Sequence, residues 1–144
     1  KLIITVCAVA ALGMRAYGGG FWLQLGNPEA NAEARSAKAV LTLEAVGCHD
    51  PGKAEITGTA IGVVNGKREN IPLTLTPLSK PGMYAVAKQW PDKGNWILQF
   101  VGHNTGMTTS ALVSAGPDGV KRTGAKFFPR EPNAADLEPL LAQR

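Results

Sequence analysis

"AEITGTAIGVVNGKRENIPLTLTPL", residues 54–78, decides the fold. Its first half alternates along the chain with period two and carries Gly58 and Gly62, which mark a bulge or a close backbone approach. Asn65-Gly66 then separates two alternating runs, and that dipeptide is the strongest short hairpin signal, because it tolerates the positive φ that a tight reversal needs. The second run sets Ile71, Leu73 and Leu75 against Pro72, Thr74 and Thr76. Pro72 has no N–H for a ladder, so this strand belongs at a sheet edge or pairs on one side only there.

The same rhythm extends in both directions. Phe21, Leu23 and Leu25 alternate with Trp22 and Gln24 until Asn27-Pro28 ends the run. Residues 29–39 are rich in Ala and Glu without a clear apolar stripe, which reads as an exposed connection with some helical tendency. Leu41, Leu43 and Ala45 then oppose Val40, Thr42, Glu44 and Val46, and "HDPGK" closes that strand with a turn. Downstream, residues 83–90 and 95–101 form two more half-buried patterns around "PDKG" at 91–94. Pro followed by Gly three positions later suits a tight turn, so the sequence predicts a hairpin in which Trp90 and Trp96 face each other across or diagonally beside the ladder. Residues 108–116 and 120–128 add strands joined at Pro117-Asp118-Gly119. In the tail, Asn133 is an N-cap candidate for a short helix over 134–141 that contains Pro139.

These elements predict an all-β protein: an antiparallel β-sandwich, immunoglobulin-like or transthyretin-like, of about seven strands with a short C-terminal helix. The 17 glycines and 10 prolines agree with many short strands and turns. The organisation reads as 1–18 signal peptide, 19–39 N-terminal strand and connection, 40–130 sandwich, and 131–144 tail with helix. Without the first segment about 125 residues remain, one core's worth.

The start of the chain reads as an address. Lys1 precedes an apolar block over 2–12, and small residues Ala16 and Gly18 flank Tyr17, as in a secretory signal peptide. The block falls short of the roughly 20 apolar residues of a spanning helix, so membrane attachment follows only if the segment stays uncleaved. Cys7 is preceded by Val6 rather than a small residue, unlike a lipoprotein site. With Cys7 removed, Cys48 is the only thiol, and no internal disulfide can form.

The pattern Gly66, then Gly82-Met83-Tyr84, Pro91 to Gly94, and Trp96-Ile97-Leu98 resembles bacterial periplasmic sandwich modules of the YtkA-like and FixH-like families, and transthyretin-like modules. The likeness covers residues 58–101. It rests on turn and core positions, so it implies a fold and an exported setting more than a role.

Charge excludes one class of partner. The formal charge is +4, and setting Lys1 and Arg15 aside leaves 13 basic against 11 acidic residues, scattered singly. No stripe tracks phosphates, so no nucleic-acid partner is expected. Catalytic chemistry is also sparse. Cys48-His49 lacks the Cys-x-x-Cys-His of haem attachment, and neighbours on a strand point to opposite faces, which disfavours a nucleophile–base pair. Asp50, Asp92 and Asp118 sit in turns where they satisfy local backbone, and the Gly18–Gly20 run precedes a strand rather than a phosphate-binding helix. The sequence therefore predicts an exported non-enzymatic domain, without catalytic residue, cofactor or metal, acting in protein–protein interaction, self-assembly or envelope assembly through strand edges and terminal segments. The alternative is a periplasmic copper-like or small-ligand module, with His103 and Met107 in a loop and His49, Cys48 and Met83 as supplementary soft ligands.

Overall fold

The computed structural model describes residues 20–47 and 49–143. The expected signal peptide, 1–18, and Cys48 lie outside the described residues. The chain runs β1 (Phe21–Gly26), a 3-10 turn (Pro28–Ala30), α1 (Ala32–Ser36), β2 (Ala39–Gly47), a second 3-10 turn (Pro51–Lys53), β3 (Glu55–Val64) and β4 (Lys67–Leu73). It continues through β5 (Thr76–Pro77), β6 (Met83–Ala87), β7 (Trp96–Asn104), β8 (Met107–Gly116), β9 (Gly119–Phe128) and α2 (Ala134–Leu141). Every pairing is antiparallel. One sheet has the order β1-β2-β6-β5 and the other β4-β3-β7-β8-β9. The protein is the all-β sandwich that its alternation predicts.

Between the sheets lies one apolar cluster. Leu23, Leu41, Leu43 and Val86 enter it from the first sheet, and Ala60, Leu98, Phe100, Ala111 and Val113 from the second. Gly58 and Gly62 mark close approaches, as expected: the rings of Phe100 and Trp96 occupy the space where their side chains would stand.

Two expectations are corrected. The first is the hairpin at 91–94. β6 already pairs with β2 and β5, and β7 with β3 and β8, so these strands belong to different sheets and the segment between them crosses the sandwich. Trp90 and Trp96 are not ladder partners. Both are instead buried in the same core cluster, at 7% and 1% exposure. The expected strand 83–90 correspondingly ends at Ala87. Burying two indoles outweighs a turn preference that either path satisfies. The second correction concerns residues 67–78, expected as one strand. They divide at Thr74 into β4 of the second sheet and β5 of the first, which raises the count to nine strands.

Part of each outer face is covered by the chain itself. Over the first sheet, α1 packs on β2 and β6, and buries Ala34 where Thr42 and Ala85 are also buried. Over the second, Leu137, Leu140 and Leu141 of α2 pack on Ile97 and Leu112. Asn133 caps α2 as predicted, in a capping box with Asp136, and Pro139 lies inside the helix.

Candidate functional site

His103 and Met107, expected in a loop, stand instead on the β7–β8 hairpin. Thr105 and Gly106 form its reversal with φ of 49° and 77°, matching Asn65 and Gly66 at 50° and 76° in the β3–β4 hairpin. His103 lies opposite Thr108, and Asn104 opposite Met107. Facing residues share a side and successive residues alternate, so His103 and Met107 point to opposite faces of the hairpin. The His103 ring is also engaged: Nδ1 is 3.0 Å from Thr108 Oγ1, and Nε2 is 3.4 Å from Glu131 Oε1.

The other candidate ligands are elsewhere. Met83 lies on the outer face of the first sheet, where its sulfur is 4.0 Å from Asn31 Nδ2, and His49 is exposed after β2. Among the described residues no group of three or more His, Cys, Asp or Glu side chains is placed to hold a metal ion. The turn carboxylates do local work. Asp50 accepts from the Gly52 N–H at 3.0 Å, and Asp92 pairs with Lys88, whose ammonium holds its carboxyl below the usual range.

At the start of β1 an open groove of about 650 Å³ is lined by Phe21, Met107, Pro129, Arg130 and Glu131, among others. Its charged groups face protein partners. Arg130 pairs with Asp136 at 2.6 Å, and Glu131 with His103. A nucleophile–base arrangement of the kind that splits acyl or phosphoryl bonds is not formed by these side chains.

The strand edges differ far more from one another. β4 carries Lys67, Arg68, Glu69 and Pro72, charges and a proline that discourage further pairing. β5 is two residues long and includes Pro77. Where the chain passes from β4 to β5, the Gln89 side chain accepts from the Thr74 N–H at 2.7 Å and donates to the Thr74 carbonyl at 3.0 Å, closing that side. β9 is bulged: Leu112 pairs with Lys126 and Ser114 with Lys121, which leaves residues 122–125 opposite Val113 alone.

β1 has none of these protections. Its sequence, FWLQLG, holds no charge and no proline, and its register against β2 is regular throughout. The direction of its backbone groups follows from β2. The Ala45 N–H donates to the Gly82 carbonyl at 2.8 Å, so Leu43 and Ala45 turn their backbone groups toward β6, and Thr42, Glu44 and Val46 turn theirs toward β1. Their partners Gly26, Gln24 and Trp22 are thereby used on β2. Phe21, Leu23 and Leu25 present N–H and C=O on the other side, where no described strand pairs. Trp22, 47% exposed, stands on the outer face of this strand. The sequence points to strand edges in general and not to this one; its one signal here is the absence of Lys, Pro and Gly from residues 21–25.

The chain matches no family model, no curated protein and no solved structure. No described helix is long and apolar enough to cross a membrane.

Proposed function

We propose that this chain is an exported, non-enzymatic β-sandwich domain that acts in protein–protein interaction or envelope assembly by docking an extended segment of another protein along β1. One observation carries the reading: among the described strand edges, β1 alone combines a regular ladder, three residues with outward backbone groups, and no charge, proline or bulge. An extended segment that pairs there satisfies its own main chain and that of Phe21, Leu23 and Leu25 together. Export is supported by Lys1, the apolar block 2–12 and the small residues near Tyr17, and agrees with the resemblance to periplasmic modules. A metal-binding role has no comparable support, because His103 and Met107 diverge.

Hydrogen exchange tests the docking. Peptides selected from a displayed random library against the full-length protein are expected to slow exchange at the amides of Phe21, Leu23 and Leu25. Binders that protect only other strands overturn the reading. For export, residues 1–25 fused to alkaline phosphatase should give periplasmic activity, and an inactive fusion removes that part.

A further inference from the structure

We propose, building on the docking reading above, that the segment received by β1 is a lone extended strand with apolar inward side chains, which supplies a fifth strand to the first sheet. The two sheets differ in width, four strands against five. On one side their edges are joined, because the chain passes directly from β4 to β5 at Thr74. Counted from there, β1 is the fourth strand of its sheet, and across the core it packs chiefly on β8, the fourth strand of the other. β9 is the fifth, and no described strand stands beyond β1 to match it.

The side chains of β9 record the gap. Phe127 lies opposite Ala111, which is fully buried, so it is on the core side of β9. It is nevertheless 51% exposed. Ala125, on the same side, is half-buried against the core, and so is Val120 at the start of the strand, where it shares a hollow with Val40 of β2. Lys121 and Lys126, opposite Ser114 and Leu112, point to the outer face, and Arg122 lies in the bulge, so the uncovered wall at the end of β9 is apolar. The open groove of about 650 Å³ is at this same end, between Phe21 and residues 129–131 after β9. Phe21 and Leu25, the half-buried core-side residues of β1, form the facing wall.

A strand added to β1 sends alternate side chains into this gap, over Phe127 and Ala125. A polar group placed there loses water without gaining a partner, so that face of the segment is apolar. The remaining side chains point outward beside Trp22 and are free to be polar. The gap also selects against a second copy. β9 projects beyond β1, so two sandwiches joined β1 to β1 about a two-fold axis bring both β9 strands into one space. A single extended segment meets no such obstacle.

The test uses the full-length protein and two labelled peptides of about eight residues, one alternating valine with glutamine and one alternating threonine with glutamine. Valine and threonine match in shape and differ by a hydroxyl, so the comparison isolates apolarity. Fluorescence anisotropy is expected to give the valine peptide about tenfold tighter binding, with a gap that salt does not close. Phe127→Thr, at an exposed position, should bring the two affinities within about threefold, and Trp22→Thr should leave the gap in place. Nuclear Overhauser contacts between valine methyls and the Phe127 ring in the unaltered protein give the same information should the first variant not fold.

Equal affinity for the two peptides, or a preference lost in Trp22→Thr and kept in Phe127→Thr, overturns the inward apolar assignment. Slowed exchange at Phe21, Leu23 and Leu25 would then leave the docking reading standing, and its absence would remove both. Concentration-dependent dimers with β1 protected would assign the edge to a second copy and overturn the proposal. So would a protein that binds neither peptide while its β1 amides already exchange slowly, which would assign the gap to the chain's own residues 2–12.

Discussion

A side chain at Gly62 has no room beside Trp96: a Cβ built there stands 2.5 Å from Trp96 Cε3, 2.7 Å from Cδ2 and 2.8 Å from Cζ3. Trp96 is 1% exposed, and its Nε1 donates to the Lys93 carbonyl at 3.0 Å, so the ring is fixed on both sides. Gly62→Ala is therefore expected to destabilise the fold by about 1 to 3 kcal/mol through overpacking. Gly66→Ala is the contrast: nothing lies within 4 Å, and its cost comes from a backbone φ of 76° alone, about 1 kcal/mol. Urea midpoints for the two variants check this, and a Gly62→Ala midpoint unchanged from the parent contradicts the packing.

The tryptophans give an optical prediction. Trp90 and Trp96 are 7% and 1% exposed, whereas Trp22 is 47% exposed. Acrylamide should quench one component of the native emission readily and leave a protected, blue-shifted remainder. Trp22→Phe should remove the quenchable part and leave the protected part intact. If the accessible component persists in that variant, one of the two core indoles is not where the sandwich puts it.

Much of this architecture was legible because a half-buried strand writes its period into the chain. Phe21, Leu23 and Leu25, and then Leu41, Leu43 and Ala45, announce their strands, and Asn65-Gly66 announces a turn whose two residues both have positive φ. Strand partners are harder to read, because they depend on which sheet a strand joins. Alternation continues unbroken through Leu73 and Leu75 although the chain changes sheets at Thr74, and "PDKG" accommodates a crossing as readily as a reversal. Thr is an unusual residue at φ 49°, so the sequence does not announce the Thr105-Gly106 hairpin, and His103 and Met107 read as neighbours in a loop. The absence of Lys, Pro and Gly from residues 21–25 is legible locally, but the open side of β1 is not. It is a property of strand order, set by residues far from 21–26.

The C-terminal helix should be separable from the sandwich. Leu140 is 6% exposed on a small cluster with Ile97 and Leu112, and Asn133 accepts from the Asp136 N–H at 3.2 Å. Leu140→Ala is expected to cost about 2 kcal/mol or more, and Asn133→Ala about 1 kcal/mol. In both, amide exchange should rise over 134–141 while β7 and β8 remain protected. Uniform loosening of the whole chain would mean that the helix is an inseparable part of one cooperative core.

Acid should act on the same helix first. Arg130 binds the Asp136 carboxylate at 2.6 and 3.1 Å, and the Asn133 N–H donates to it at 2.8 Å. Together, with the Arg130 hydrogen bonds as the larger cause, these hold the Asp136 carboxyl at about 2 against an ordinary 3.8. The folded carboxyl is thus the weaker proton binder, so its contribution is complete above pH 3.8 and disappears as pH falls toward about 2. Helix exchange over 134–141, followed from pH 5 down to pH 2, should accelerate in the parent protein across that interval beyond the intrinsic change. Asp136→Asn cannot ionise, so it should start from a looser helix at pH 5 and show a smaller further loss. Parallel pH profiles for the two proteins would mean that the Arg130–Asp136 contact does not hold the tail in solution.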